Sequence, residues 1–267
     1  MMRLPNPTIR EIPASSLRHP DQVDDLFRRY EGFFRRYPDL WVKGGGARAT
    51  FLDWAKRNFD ADSYRRVPRI RDVDLIYFGE ILPDEVRDLE DVGYDVERLS
   101  SMHRYWHSRD VGINEVLLRP EKLLFSEKAI RDFHRGELHP SGNVYNVYWE
   151  DIPYRVGVRG VLFAIENDLQ PSRLIIESAK QASPFNVLLG LYKAYMSGKE
   201  GLFFATMQAM GNFTARRFTS PEQALLALTG ELDFELRSPE NEGIYEFALS
   251  EYQKDRWLDH IEEWENA

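Results

Sequence analysis

The chain has 267 residues, 43% of them hydrophobic and 13% aromatic, enough to bury a sizeable core as one large domain or two smaller ones. A net charge of −9 argues against a protein that coats nucleic acid without selectivity, and the lack of cysteine excludes disulfides, thiolate metal ligands and a cysteine nucleophile. No stretch reaches the roughly 18 apolar residues of a membrane span and the first twenty hold no long apolar run, so a cytoplasmic protein without a signal peptide is expected. Charge is spread unevenly. Residues 27–71 carry twelve Lys or Arg against five Asp or Glu, and an acidic excess lies in the tail from Glu240 to Glu265. A basic segment of this kind suits a triphosphate or a polynucleotide, or else forms a solvated helix face.

In chain order, residues 1–19 are polar and contain Pro, which predicts an extended arm. From Asp21 to Tyr37, Val23, Leu26, Phe27, Tyr30, Phe33 and Phe34 recur at three and four, a helical stripe that leaves Arg28, Arg29, Arg35 and Arg36 facing outward. Residues 41–78 then read as strand, glycine turn, helix, connector and strand. Trp41 and Val42 run into Gly44, Gly45 and Gly46, and Ala47 to Arg57 carries Phe51, Leu52 and Ala55 at helical spacing. Free backbone N–H groups at such a turn make an anion site, and Arg48 in the first helical turn adds charge-assisted hydrogen bonds, so a phosphate is the expected guest. On the next strand, Asp72 and Asp74 are two residues apart and share a face. Two like charges so close call for a cation, and a divalent metal is the economical choice. Together these features point to metal-assisted chemistry on a nucleoside triphosphate.

Beyond it, Pro83 to Asp91 reads as a short helix, and residues 94–99 alternate as a third strand on which Asp95 and Glu97 share a face, so either completes a carboxylate triad with Asp72 and Asp74. In the segment 109–118, Asp110 and Asn114 are short polar groups suited to ribose hydroxyls, and Arg109 is able to reach a phosphate. From Leu162 onward the chain reads all-helical, over 172–183, 185–197, 200–211, 221–229 and roughly Ile244 to Glu265, divided by Gly198, Gly201, Gly211 and Ser-Pro pairs.

The order glycine turn, helix with Arg, Asp-x-Asp strand resembles the first motif of the polymerase-beta nucleotidyltransferase superfamily. More narrowly it resembles the head of class II tRNA nucleotidyltransferases and bacterial poly(A) polymerases, with Gly-Gly-x-Val-Arg-Asp followed by Asp-x-Asp. Gly44, Gly45, Ala47, Arg48, Asp72 and Asp74 match; Ala49 stands in place of the family's Asp, and the connector of residues 58–70 is longer and more basic. Arg109, Asp110, Ile113, Asn114 and Leu117 match the Arg-Arg-Asp-Phe-Thr-Ile-Asn-Ala-Leu segment associated with the nucleotide's sugar, with Ser108 and Val111-Gly112 as departures. Residues 126–139 resemble the family's connecting helix before its neck. Glu150 to Ala164 resembles Glu-Asp-x-x-Arg followed by Leu-Arg-x-x-Arg-Phe-Ala, the base-reading motif, and brings in Asp151, Arg155 and Arg159. Three residues separate Asp151 from Arg155 where the family has two. Aligning Arg155 puts Ile152 at the base-reading Asp, so faithful C-then-A discrimination is not expected, and Tyr154 and Ile152 remain as flat or apolar groups to pack on a base.

The resemblance implies an α+β nucleotidyltransferase head, a short mixed sheet flanked by helices, followed by an all-helical domain: an arm and helix over 1–40, the head over 41–149, and a helical neck and C-terminal domain over 150–267. It implies a Mg²⁺-dependent enzyme with a two-metal site on Asp72, Asp74 and Asp95 or Glu97. NTP, expected to be ATP or CTP, would be held by Gly44, Gly45, Arg48, Arg109, Asp110, Asn114, Asp151, Arg155 and Arg159, with an RNA 3′ end, in tRNA or another RNA, as acceptor. The alternatives are transfer to a protein or small molecule, as in toxin-like and drug-modifying members of the superfamily, and a catalytically silent nucleotide- or RNA-binding module. Nothing in the sequence fixes the oligomeric state.

Overall fold

The computed structural model describes residues 7–59, 70, 73–141 and 152–196, together with 205, 206, 209 and 244. The chain divides into two compact units, Met1–Trp149 with Glu166–Ser172, and Glu150–Ile165 with Arg173–Ala267.

The first unit is built on a six-stranded mixed sheet in the order β1-β6-β5-β2-β3-β4, formed by β1 (Ile9–Pro13), β2 (Leu40–Lys43), β3 (Asp74–Phe78), β4 (Val96–Leu99), β5 (Val116–Arg119) and β6 (Lys122–Ser126). Only β3 and β4 run parallel among these pairs. Within the residues expected as an extended arm, Ile9–Pro13 forms an edge strand, whose Ile9 and Ile12 are its less exposed positions.

Both faces of the sheet are apolar because both are covered. On one, Val42, Leu118 and Phe125 meet α3 (Gly44–Phe59), whose Phe51 and Trp54 rings lie 4.9 and 5.2 Å from Phe125. A side chain at Gly46 would sit 2.9 Å from Val23, so the start of α3 packs closely on α1 (Asp21–Arg29). On the other face, Trp41, Ile76, Phe78, Leu117 and Leu124 cluster with Tyr105 and Trp106 of α5 (Met102–Ser108). Burial of large apolar side chains of this kind is worth about 1.5–3 kcal/mol each.

The helix expected over 21–37 is two helices, α1 and α2 (Glu31–Arg36), because Tyr30 leaves the helical region at φ −119°, ψ 23° while its N–H closes α1 on the Leu26 carbonyl. Val23, Leu26, Phe27 and Phe34 are buried and the four arginines are exposed, so the stripe survives the break. The end of α2 is tied to the sheet by Arg119, 5% exposed, which donates to the carbonyls of Phe34 (2.7 Å), Tyr37 (3.1 Å), Leu40 (2.9 Å) and Pro38. The remaining helices are α4 (Asp84–Asp91) and α6 (Glu127–Arg135), the latter capped by the Ser126 hydroxyl accepting from the Ala129 N–H and ended by Gly136 at φ +66°.

The second unit contains a π-type helical turn, Pro153–Val158, α7 (Arg159–Glu166, of which Glu166 belongs to the first unit), α8 (Arg173–Ala179) and α9 (Pro184–Met196). The π turn lies so close to α8 that a Cβ at Gly157 would meet the Ala179 backbone N at 2.5 Å. The chain is not helical throughout from Leu162. Gln170 and Pro171 form a short strand, β8, pairing in parallel with β7 (Glu137–Leu138), which returns the backbone to the first unit. The helices expected over 200–211, 221–229 and from Ile244 to Glu265 lie, but for a few isolated positions, outside the described residues. No helix among the described residues is long and apolar enough to cross a membrane.

Candidate active site

The turn expected at Gly44–Gly46 is sharper than a loop. β2 ends at Lys43 and α3 begins at Gly44, which takes φ +63°, a conformation glycine adopts freely and other residues at a cost of about 1–2 kcal/mol. The position is closed on its other side as well, since a Cβ there would land on Asp74 Oδ2. The glycine backbone and the Asp74 carboxylate are therefore neighbours, and the first N–H groups of a 16-residue helix open beside an acid. A Cβ at Gly45, by contrast, would make only ordinary contact with Ile70 at 3.5 Å. Gly44→Ala is expected to destabilise the first unit by about 1–2 kcal/mol and Gly45→Ala by under about 0.5 kcal/mol. Denaturant titration of the two variants checks this; equal losses would contradict the contact with Asp74.

Asp74 is half-buried at the start of β3; Asp72 lies outside the described residues. Across the ladder Asp74 is paired with Lys43, and on the other side β4 runs parallel with Ile76 opposite Glu97. Paired residues share a face, so Lys43, Asp74 and Glu97 project to the same side of the sheet. Asp95 precedes β4, is exposed, and its carbonyl accepts from the Leu75 N–H. Glu97 is engaged by two cations: Lys43 Nζ donates to Oε2 at 2.8 Å and Arg109 Nη2 approaches Oε1 at 3.5 Å. Burial alone would raise the Glu97 carboxyl, but Arg109 and Lys43 outweigh it and hold it below its ordinary value. Arg109 also lies over the Tyr105 ring at 4.3 Å and donates to Ser108 Oγ at 2.8 Å.

Arg48 does not stand open at the turn. It is 5% exposed, donating through Nη1 to Asn114 Oδ1 at 2.6 Å and reaching Glu166 Oε2 at 3.4 Å. Asn114 in turn donates from Nδ2 to Asp110 Oδ1 at 2.9 Å, which also accepts the Val111 N–H at 3.0 Å. The glycine-helix motif and the 109–114 segment are thus joined by one polar chain, Arg48–Asn114–Asp110. That segment is braced from behind: Gly112 N–H donates to the His139 carbonyl, Ser141 N–H to the Asp110 carbonyl, and the buried Asp132 accepts from both the backbone N–H and Nδ1 of His139. Burial pushes the Asp132 carboxyl up to about 6 despite those hydrogen bonds. Glu115, buried and bonded by the Ser141 hydroxyl, is raised for the same reason.

Arg155 and Arg159 belong to the second unit, Arg155 inside the π turn and Arg159 at its end, with its guanidinium 5.4 Å from the Phe163 ring. Asp151 lies outside the described residues. Tyr154, expected as a platform for a base, is instead 5% exposed with Lys193 Nζ over its ring at 5.3 Å, because its residue turns inward within the π turn.

Neither a protein-family model nor a curated protein sequence matches this chain. Two solved structures of a CCA-adding enzyme do align with it. The apo form is 14% identical with a TM-score of 0.52, covering 91% of this chain and 69% of that one. The complex with CTP is 14% identical with a TM-score of 0.51, covering 90% and 66%. The fold is that of a CCA-adding enzyme. The chain spans about two thirds of the length of those CCA-adding enzyme chains.

Lys43 and Glu166 were not singled out in the sequence. Lys43 carried a readable signal, because it precedes Gly44 on a strand and period-two alternation aligns it with Trp41; Glu166 carried none, lying 118 residues from Arg48. As donors for a divalent ion, the Asp74 carboxylate and the neighbouring Asp-x-Asp acid are the hard oxygen ligands that Mg²⁺ takes, one or two carboxylates completed by substrate phosphates. Among the described residues no three His, Cys, Asp or Glu side chains converge to hold a metal.

Proposed function

We propose that this chain is a nucleotidyltransferase that moves a nucleoside monophosphate from an NTP, ATP or CTP, to the 3′ hydroxyl of an RNA. The observation that carries this reading is the juxtaposition of Gly44 at the head of α3 with the Asp74 carboxylate, on a fold shared with a CCA-adding enzyme, one of whose structures is a complex with CTP. The N–H groups at the start of α3 would bind the triphosphate, whose close approach Gly44 and Gly45 leave unobstructed. Asp110 and Asn114 would face the ribose, with Arg48 fixing Asn114, and Arg109 would add charge near the phosphates. The acceptor oxygen attacks the α-phosphorus, its proton passes to solvent, the bond to the β-phosphate breaks and pyrophosphate leaves. Asp72 and Asp74 would hold Mg²⁺, which when bound supplies Lewis-acid stabilisation of the charge developing on those oxygens. Asp95 is the nearest further carboxylate in the β3–β4 register.

Label uptake tests the reading: with Mg²⁺, each of four α-labelled NTPs and either total RNA or cell lysate, RNA is expected to take the label. Label on protein or on a small molecule would redirect the acceptor, and none anywhere would overturn the proposal. For base choice, setting Arg155 on the family's Arg puts Ile152, the residue that leads into the π-type turn Pro153–Val158, where the base-reading Asp would stand. The base-reading pair is then out of step, and each lost bidentate contact removes about 1–3 kcal/mol of discrimination. We therefore propose addition of one favoured nucleotide or relaxed use of several, rather than ordered C-C-A. Sequencing the products from CCA-less tRNA with CTP and ATP checks this; faithful CCA completion would contradict it.

A further inference from the structure

We infer that Lys43 is a cation built into the site, a positioning residue that holds Glu97 out of any metal shell, so that a divalent ion is bound at Asp74, the first residue of β3, without Glu97. This deepens the proposed function and rests on it for where the ion binds. Lys43 is the last residue of β2, directly before Gly44 and directly opposite Asp74, so the ladder places an ammonium on the face where the carboxylates gather. Its Nζ is 2.8 Å from Glu97 Oε2, and with the Lys43 side chain 13% and the Glu97 side chain 31% exposed the pair is sheltered from screening. Arg109, 15% exposed and stacked on Tyr105, faces the other Glu97 oxygen. Both oxygens that would turn to a metal are thus already matched by fixed positive charge, and a divalent ion would have to displace an ammonium to reach them. With Lys43 and Arg109 neutralising Glu97, the negative charge left on this face for a divalent ion is that of Asp74.

The test is Mn²⁺ binding to the full chain, by calorimetry and by the Mn²⁺ spin-resonance signal, for wild type and for Lys43→Met, Lys43→Arg, Glu97→Gln, Lys43→Met with Glu97→Gln, and Asp74→Asn. Glu97→Gln is expected to bind Mn²⁺ within about twofold of wild type, and Lys43→Met to bind it about tenfold tighter or to take up one further ion. That gain should vanish in the double variant and be absent in Lys43→Arg. A Glu97→Gln protein that binds Mn²⁺ about tenfold more weakly, or a Lys43→Met protein indistinguishable from wild type, overturns the inference. Wild-type binding that Asp74→Asn abolishes keeps the proposed metal site standing even then, whereas no Mn²⁺ on any of the proteins overturns both.

Discussion

Asp74→Asn is expected to lower nucleotidyl transfer by about a thousandfold or more, the rate equivalent of losing roughly 4 kcal/mol of transition-state stabilisation. The substitution keeps the side chain's volume and its neighbour, the Gly44 backbone, and removes only the charge and one hard oxygen. Stability should move little, since Asp74 is half-buried at the mouth of the sheet and stands opposite Lys43, not inside the apolar core. Circular dichroism melts and single-turnover transfer assays on the same preparation separate the two effects. Wild-type turnover in the variant would remove Asp74 from the chemistry.

Arg48→Ala is expected to cost about 2–4 kcal/mol of folding free energy before any effect on nucleotide is considered. From the sequence, an arginine in the first turn after a glycine turn serves a bound phosphate. In the fold it is enclosed, and its removal takes away the donor to the Asn114 carbonyl and the cation that faces Glu166. Asn114 holds Asp110, so loosening it also frees the 109–114 segment proposed to face the ribose. Arg48→Lys should recover little, because a single ammonium does not reproduce the fork that meets two partners. Chemical denaturation with a nucleotide titration checks both halves. Unchanged stability with weakened NTP binding would show that Arg48 serves only the ligand.

Much of the head was legible because local rules act over short distances there. The run from Trp41 through Gly44 to Ala55 gave β2 and α3, and Pro83 correctly preceded α4, since glycine and proline punctuate regardless of the rest of the chain. Two things defeated local reading. Val116 to Arg119 and Lys122 to Ser126 form a hairpin, but buried on both faces they lack the alternation that marks a strand, and the polar residues before them drew the segment towards a ligand role. Long-range pairing was the other: β1 finds β6 more than a hundred residues away, with only two isoleucines to announce it, and Glu166 finds Arg48 at a similar separation. A stripe with three-and-four spacing cannot tell one helix from two, so the break at Tyr30 was invisible. At the site, residue types were readable but their partners were not. Glu97 was readable as a carboxylate on the third strand, but its ion pairs with Lys43 and Arg109 were not; Tyr154 looked like a stacking surface and is buried.

The most direct test of nucleotidyl transfer uses ATP and CTP labelled in parallel at the α- and at the γ-phosphorus, with RNA as acceptor, Mg²⁺, and both the wild-type and Asp74→Asn proteins. Wild type should leave α-label at the RNA 3′ end and release γ-label as pyrophosphate, and Asp74→Asn should do neither above background. γ-Label on the acceptor, or α-label transferred equally well by Asp74→Asn, would contradict it.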